Sequence, residues 1–216
     1  MRQPDDIQRE SFRIIEQEVG PHHFPPEQWQ VVQRVIHSTA DFEYAELLRF
    51  HPQAFAVAEA AIRQGEDILT DVQMVRMGIQ PLAERRHGIQ VRCHLGDAEM
   101  SEAVRAMANT RTARGLLWGL TAGPVGICVI GNAPTALRAA IKACQQPGIQ
   151  RPKLIVGVPV GFVDAAESKQ ALLAMQDIPW ITCAGRKGGS TVAAAVVNAL
   201  LEWVPTHRTT SGVSHG

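Results

Sequence analysis

Three short apolar runs, residues 125–130, 153–157 and 180–183, constrain this chain most. Each ends in a glycine-bearing turn and gives way to helical periodicity, over 134–144, 165–175 and 190–203. Repeated strand–turn–helix units demand right-handed crossovers, so their strands lie parallel and the helices cover both faces. Residues 68–70 and 89–93 read as two further strands, and Asp71 is placed to cap a helix over 72–77. The expected fold is α/β: a doubly wound, mainly parallel sheet with helices on both faces and a helical N-terminal segment. Ligands of such sheets collect beyond the carboxyl ends of the strands. The turns at Gly131 and at Gly185 to Gly189 fall on that edge, and amides at a helix start lack intrahelical acceptors, which suits an anionic ligand.

The first third reads as helix throughout. Ile7, Phe12, Ile15 and Val19 recur at helical spacing over 5–18 until Gly20-Pro21 stops them. Pro25-Pro26 pre-set the backbone for a second helix over 27–39, with Trp29, Val32 and Ile36 as its apolar stripe. Residues 41–50 and 52–63 continue the helical pattern, as do 100–108 and 111–120 later. Residues 1–203 are expected to form one domain, and 204–216 a mobile tail with little to bury.

Composition removes several classes. With 21 basic and 21 acidic residues, attraction for an anion must come from local clustering rather than from the whole-molecule field. One Tyr and six Phe are too few for a base-stacking surface, so no nucleic-acid partner is expected. Cys93, Cys128, Cys144 and Cys183 form no CxxC pair and the N-terminus carries no apolar export segment, which suggests a cytoplasmic protein with reduced thiols. No apolar stretch reaches the ~20 residues that cross a bilayer, so no membrane partner is expected. His22, His23, His51, His87, Cys93 and His94 lack metal-ligand spacing, and no metal is assigned. There is no Walker spacing and no GxGxxG after the first strand, and no GxSxG elbow appears at a strand-to-helix turn.

Some residues carry chemistry by their spacing. Arg34, His37 and Asp41 align on one helical face, where an acid near the imidazole would raise its basicity for proton transfer; an ordinary solvated face has the same pattern. Gly185-Arg186-Lys187-Gly188-Gly189-Ser190 joins two cations to glycines just before a helix. Thr110-Arg111 is either a carboxylate clamp or a helix-capping pair.

Taken together, Arg34-Val35-Ile36-His37, Asp71-Val72-Gln73-Met74-Val75, Thr110-Arg111, Val129 to Leu137, Val158 to Val163 with Glu167-Ser168-Lys169, and Gly185 to Ser190 resemble the precorrin-8X methylmutase family. The resemblance runs from about Ile7 to Leu201. It implies an isomerase that moves a methyl group from C11 to C12 of a corrin precursor, giving hydrogenobyrinate or its cobalt form cobyrinate, with no cofactor or methyl donor consumed. It implies a homodimer with the site near the subunit contact, and His37 as the proton donor or acceptor. Arg34, Arg111, Arg186 and Lys187 would hold the carboxylates of the macrocycle. Ser11, Asp71, Met74, Thr110, Asn132, Ala133, Thr135 and Gly189 would be further substrate contacts. Lys187 resembles members of the cobalt branch. Two other readings remain at this stage: a corrinoid carrier without turnover, and a nucleotide-binding α/β protein.

Overall fold

The computed structural model describes residues 3–96, 102, 106, 108, 110–146 and 149–206. Its helices are α1 Pro4–Val19, α2 Pro26–Thr39, α3 Tyr44–Leu47, α4 Ala54–Arg63, α5 Gln73–His87, α6 Arg111–Thr121, α7 Pro134–Cys144, α8 Ala165–Leu173 and α9 Ser190–Trp203. The strands are β1 Leu48–Phe50, β2 Ile68–Thr70, β3 Val91–Arg92, β4 Ile127–Ile130, β5 Leu154–Gly157 and β6 Trp180–Cys183, in the spatial order β1-β6-β5-β4-β2-β3. All neighbours are parallel except β1, which runs against β6 with Leu48 opposite Cys183. The expected doubly wound α/β architecture is present. The helix expected over 100–108 and most of the expected tail lie outside the described residues.

Every residue of β2, β4, β5 and β6 is buried, as strands covered on both faces require. Alternation then sorts them: Ile127 and Val129 face a layer of α1, α2, α4, α5 and α9, while Cys128 and Ile130 face α6, α7 and α8. Helix α9 is apolar nearly all round, with Val192, Ala193, Ala195, Val196, Val197, Ala199, Leu200 and Leu201 buried. Such a helix belongs inside a layer. It runs between α2 and α5, and small residues let the backbones approach: a Cβ built on Gly78 of α5 would lie 2.9 Å from the Ala194 Cβ.

Two elements differ from the sequence reading. Residues 41–50 do not form one helix; α3 is a single turn that hands over to the edge strand β1. Leu48 is buried against β6, and His51, which precedes Pro52 and so disfavours helix, donates its amide to the Trp180 carbonyl at 2.9 Å. Helix α5 outruns the expected 72–77 and carries Pro81 inside it. Pro81 is exposed, so the Met77 carbonyl that loses its amide partner lies on the wet side of the helix, while Val75, Ile79 and Ala83 bury the other side.

Pro81→Ala restores that amide in a solvent-facing helix interior. Unfolding in urea is expected to show a gain of about 1–2 kcal/mol after allowing for the freer unfolded chain. An unchanged or lower midpoint would show that α5 needs the proline.

Candidate active site

The site is built where α2 ends and α9 begins. Helix α2 places Arg34 and His37 one turn apart, and both meet Phe12 of α1: the imidazole contacts the ring edge-on at 5.3 Å between centroids, and the guanidinium lies 5.7 Å from the ring centre. Arg34 is also paired to the Glu202 carboxylate near the end of α9. Arg34, His37 and Ser38 form one wall of a cavity of about 340 Å³, Met74 and Gly78 of α5 form the other, and Ser190, Thr191, Ala194, Ala195 and Asn198 of α9 make the floor. His37 is exposed to this space. Ser190 and Thr191 open α9, where amides have no intrahelical acceptor. The cavity thus has the start of α9 and an imidazole among its lining, and a guanidinium that Glu202 draws toward the other end of α9.

The two glycine turns also meet here. A Cβ built on Gly131 would lie 2.8 Å from the Ala193 Cβ and from Val75 Cγ2, and 3.0 Å from the Ser190 Cα, so this contact admits glycine alone without movement. However, the Gly131 turn does not offer its amides to a ligand. Asp71 is buried, and its carboxylate accepts from the amides of Gly131 at 3.1 Å, Asn132 at 2.9 Å and Ala133 at 3.0 Å. Burial pushes the Asp71 pKa up, and the three amide bonds oppose that shift. Asp71 is therefore neither the cap of α5, whose N-cap is Val72, nor an available substrate contact; the protein's own carboxylate fills the anion position at the start of α7. Ala133 is spent in the same way. Gly189, with φ 120°, donates its amide to the Val158 carbonyl at 2.8 Å and also has no amide left over.

Lys187 departs from expectation too. Its ammonium lies 2.5 Å from Asp41 Oδ2 and 3.0 Å from Glu43 Oε1, so Asp41 is joined to Lys187 rather than to His37. The hydrogen bond from Lys187 holds the Asp41 carboxyl below its usual range. A carboxylate held low in the folded state contributes above its unfolded pKa and loses that contribution as pH falls through the lowered folded value, so the link persists at neutral pH and opens in acid.

The remaining expected residues are spread along the edge. Ser11 of α1, the residue before Phe12, donates to the Ile7 carbonyl at 2.9 Å. Arg186 is exposed and stands over the Phe162 ring at 5.8 Å. Thr110 and Thr135 lie on the α6–α7 side of the sheet with hydroxyls 3.0 Å apart, beside a separate cavity of about 290 Å³ that includes Arg138 and Lys142. Thr110 accepts from the Ala113 amide at 3.3 Å and so caps α6. Arg111 and Asn132 are exposed nearby in the chain. His37, Arg34 and Met74 therefore share one cavity, and Thr110 and Thr135 share another.

Sequence reasoning missed Phe12 as the ring that His37 and Arg34 both meet, Glu202 as the partner of Arg34, and Asn198 on the floor. Phe12 carried only a core signal in its spacing. Glu202 and Asn198 sit at i, i+4 on α9, a spacing that marks a shared face but not which neighbour it meets.

Fold and cavity together define an open α/β protein whose candidate site, at the carboxyl edge of a mainly parallel sheet, holds an imidazole and a guanidinium. Residues 6–203 match the sequence model of the family described as precorrin-8X methylmutase. The chain is 42% identical over 198 residues to a cobalt-precorrin-8 methylmutase of Priestia megaterium, covering 92% of this chain and 87% of that one. It is 38% identical over 205 residues to a precorrin-8X methylmutase of Pseudomonas aeruginosa, covering 93% and 96%. A solved structure of precorrin-8x methyl mutase from Thermus thermophilus superposes with a TM-score of 0.82 at 42% identity, covering 92% of this chain and 95% of that one. The chain belongs to the precorrin-8X methylmutase family.

Asp71→Ala would leave the buried amides of Gly131 and Ala133 without acceptors. Urea unfolding is expected to show a loss of about 2–4 kcal/mol. A midpoint equal to that of the parent would mean that water replaces the carboxylate.

Proposed function

We propose that this protein is an isomerase of cobalamin biosynthesis that moves the C11 methyl group of precorrin-8 or its cobalt form to C12, giving hydrogenobyrinate or cobyrinate. The observation that carries this reading is His37 beside Arg34 in the cavity at the start of α9. A methyl shift around a conjugated ring is redox-neutral and needs no methyl donor. What the protein must supply is a proton at the right ring position, its return afterwards, and a rigid grip on the macrocycle. His37 fills the first role: it donates to the ring, polarises the conjugated system while the methyl migrates, and takes the proton back. Arg34 and the Ser190 and Thr191 amides suit carboxylate arms near the reacting edge. Met74 flanks that edge and offers an exposed apolar side chain to the flat ring, and Ser11, next to Phe12 on α1, is a further contact expected of the family.

A corrin macrocycle with its carboxylate arms is larger than about 340 Å³, so only one edge seats in the cavity and the rest extends over the surface. Arg111, Asn132, Thr135 and Arg186, all exposed, are available to outlying carboxylates, with Thr110 beside Thr135. Exposed Met77, Phe162 and Val163 leave apolar surface that a second copy would cover, which supports a homodimer. Residues 1–203 would act as one domain. The four free, buried cysteines and the absence, among the described residues, of a helix long and apolar enough to cross a membrane are compatible with the cytoplasm.

The reaction is read directly from the chromophore. Mixed with the precursor, the protein should produce the product spectrum, while a stable shifted complex without conversion would indicate a carrier. His37→Ala should slow single-turnover conversion by roughly a hundred-fold or more while leaving the ligand bound. Unchanged conversion would remove His37 from the chemistry. Arg34→Ala should weaken binding by roughly ten- to a hundred-fold, the usual size for a lost charged hydrogen bond; equal affinity would show that Glu202 alone engages the guanidinium.

A further inference from the structure

We propose that the Asp41–Lys187 ion pair is a clasp that sets His37 against the start of α9, which makes Asp41 and Lys187 positioning residues rather than ligands of the substrate. The proposal rests on the reading of His37 as the proton-transfer group. Nothing in the sequence signalled it, because the two residues lie on different elements far apart in the chain.

The argument starts from the backbone between His37 and Asp41. Helix α2 carries His37 in its last turn and ends at Ala40, whose φ of 53° reverses the chain and whose amide is held by the Ile36 carbonyl at 2.7 Å. Asp41 follows at once, and its other oxygen accepts the Glu43 amide at 3.0 Å. With so few free torsions between them, anchoring the Asp41 carboxylate anchors the end of the helix that bears the imidazole.

Lys187 is the other half of the clasp, and it is held rigidly from behind. The Lys187 carbonyl accepts from the buried Lys169 ammonium at 2.5 Å and from the Cys183 thiol at 3.1 Å. Burial pushes the Lys169 pKa down, and the contact with the loop carbonyl gives its ammonium an acceptor in an otherwise apolar layer. The next amide, that of Gly188, bonds to the Tyr44 oxygen, and burial pushes this phenol up to about 12, so it stays neutral. Gly188 has φ 148°, and a Cβ there would run into the Val158 and Pro159 carbonyls, so the loop cannot shift toward β5. Two residues later Ser190 opens α9 and lines the cavity with His37. The loop is thus fixed by β6, α8 and α3, and its one lysine side chain reaches across to the end of α2.

Exposure decides what the pair is for. Lys187 and Asp41 have side-chain exposures of 39% and 29%, and solvent-screened pairs of this kind contribute little to folding. Geometry is a different matter, because a misplacement of about 1 Å in a reacting group costs on the order of a hundred-fold in rate. Lys187 also already faces two carboxylates, Asp41 and Glu43, which disfavours the same ammonium as the holder of a substrate carboxylate.

The test uses Asp41→Asn, Lys187→Met, the double variant and Lys187→Arg in the full chain. Each is measured by single-turnover conversion, by optical titration with the precursor, and by the NMR signals of the His37 ring protons. Those signals report its position because the Phe12 ring lies beside it, 5.3 Å away between centroids. Asp41→Asn and Lys187→Met should each slow conversion about ten-fold or more while the dissociation constant stays within about two-fold, and the double variant should be no slower than either alone. Lys187→Arg, which can still reach Asp41, should keep the parental rate. The His37 signals should move in both single variants and return in Lys187→Arg, with an unchanged unfolding midpoint. A dissociation constant that rises in Lys187→Met but not in Asp41→Asn would overturn the clasp and make Lys187 a ligand. Parental rates with unmoved His37 signals would overturn it as well. Should His37→Ala convert at the parental rate, the catalytic reading fails separately, and the His37 signals in Asp41→Asn and Lys187→Met still decide whether the clasp exists.

Discussion

Burial of α9 is the constraint on which the rest of this structure depends. A helix that is apolar on nearly every side has to be enclosed, and here the sheet takes one side while α2 and α5 take the flanks. Each fully buried Val or Leu on it contributes about 1.5–3 kcal/mol, so no arrangement that exposes α9 competes. Its alanines, with Gly78 opposite, let the flanking helices come close enough for the Asn198 side chain to donate to the Gly78 carbonyl at 2.9 Å. The cavity is the space that remains above α9 between those two helices. Its floor is therefore part of the core, which keeps the floor rigid, and its walls carry the imidazole and the guanidinium.

A second theme is how often the protein satisfies its own anion-binding groups. Asp71 occupies the amides before α7, Glu202 pairs with Arg34, Asp41 and Glu43 take Lys187, and Asp164 binds Arg138 through both carboxylate oxygens. A chain with equal numbers of acids and bases has this option. The consequence for recognition is selective. Where the partner is buried, as with Asp71, the donors are withdrawn from ligands altogether. Where the pair borders the cavity, as with Arg34 and Glu202, the guanidinium keeps further N–H groups in reach of a ligand. The start of α9, whose N-cap Gly189 supplies no side-chain acceptor, borders the cavity at Ser190 and Thr191.

Legibility from sequence followed the range of the forces involved. Strand–turn–helix alternation is a local pattern, and β4, β5, β6, α7 and α9 lie where it placed them within a residue or two. Residues 41–50 failed because helical periodicity there competes with pairing to β6, a partner more than a hundred residues away. Asp71 failed for the same reason: an acid after a strand reads as a cap for the next helix, whereas the nearest unsatisfied amides belonged to the neighbouring strand's turn. His37 and Arg34 were legible as a helical face, and their meeting with the glycine loop was expected only through the family resemblance.

What the sequence determined by itself was the run of strand–turn–helix units from β4 to α9, through apolar periodicity and glycine and proline placement. It also determined that any affinity for anions had to be local, since the whole chain carries no net charge. Tertiary structure alone decided which donors remain free, because that depends on which carboxylate reaches each amide or cation first. It likewise decided that the end of α2 and the start of α9 share one cavity, since side-chain volume at Gly78, Gly131 and Ala194, felt only on close approach, sets the distance between them.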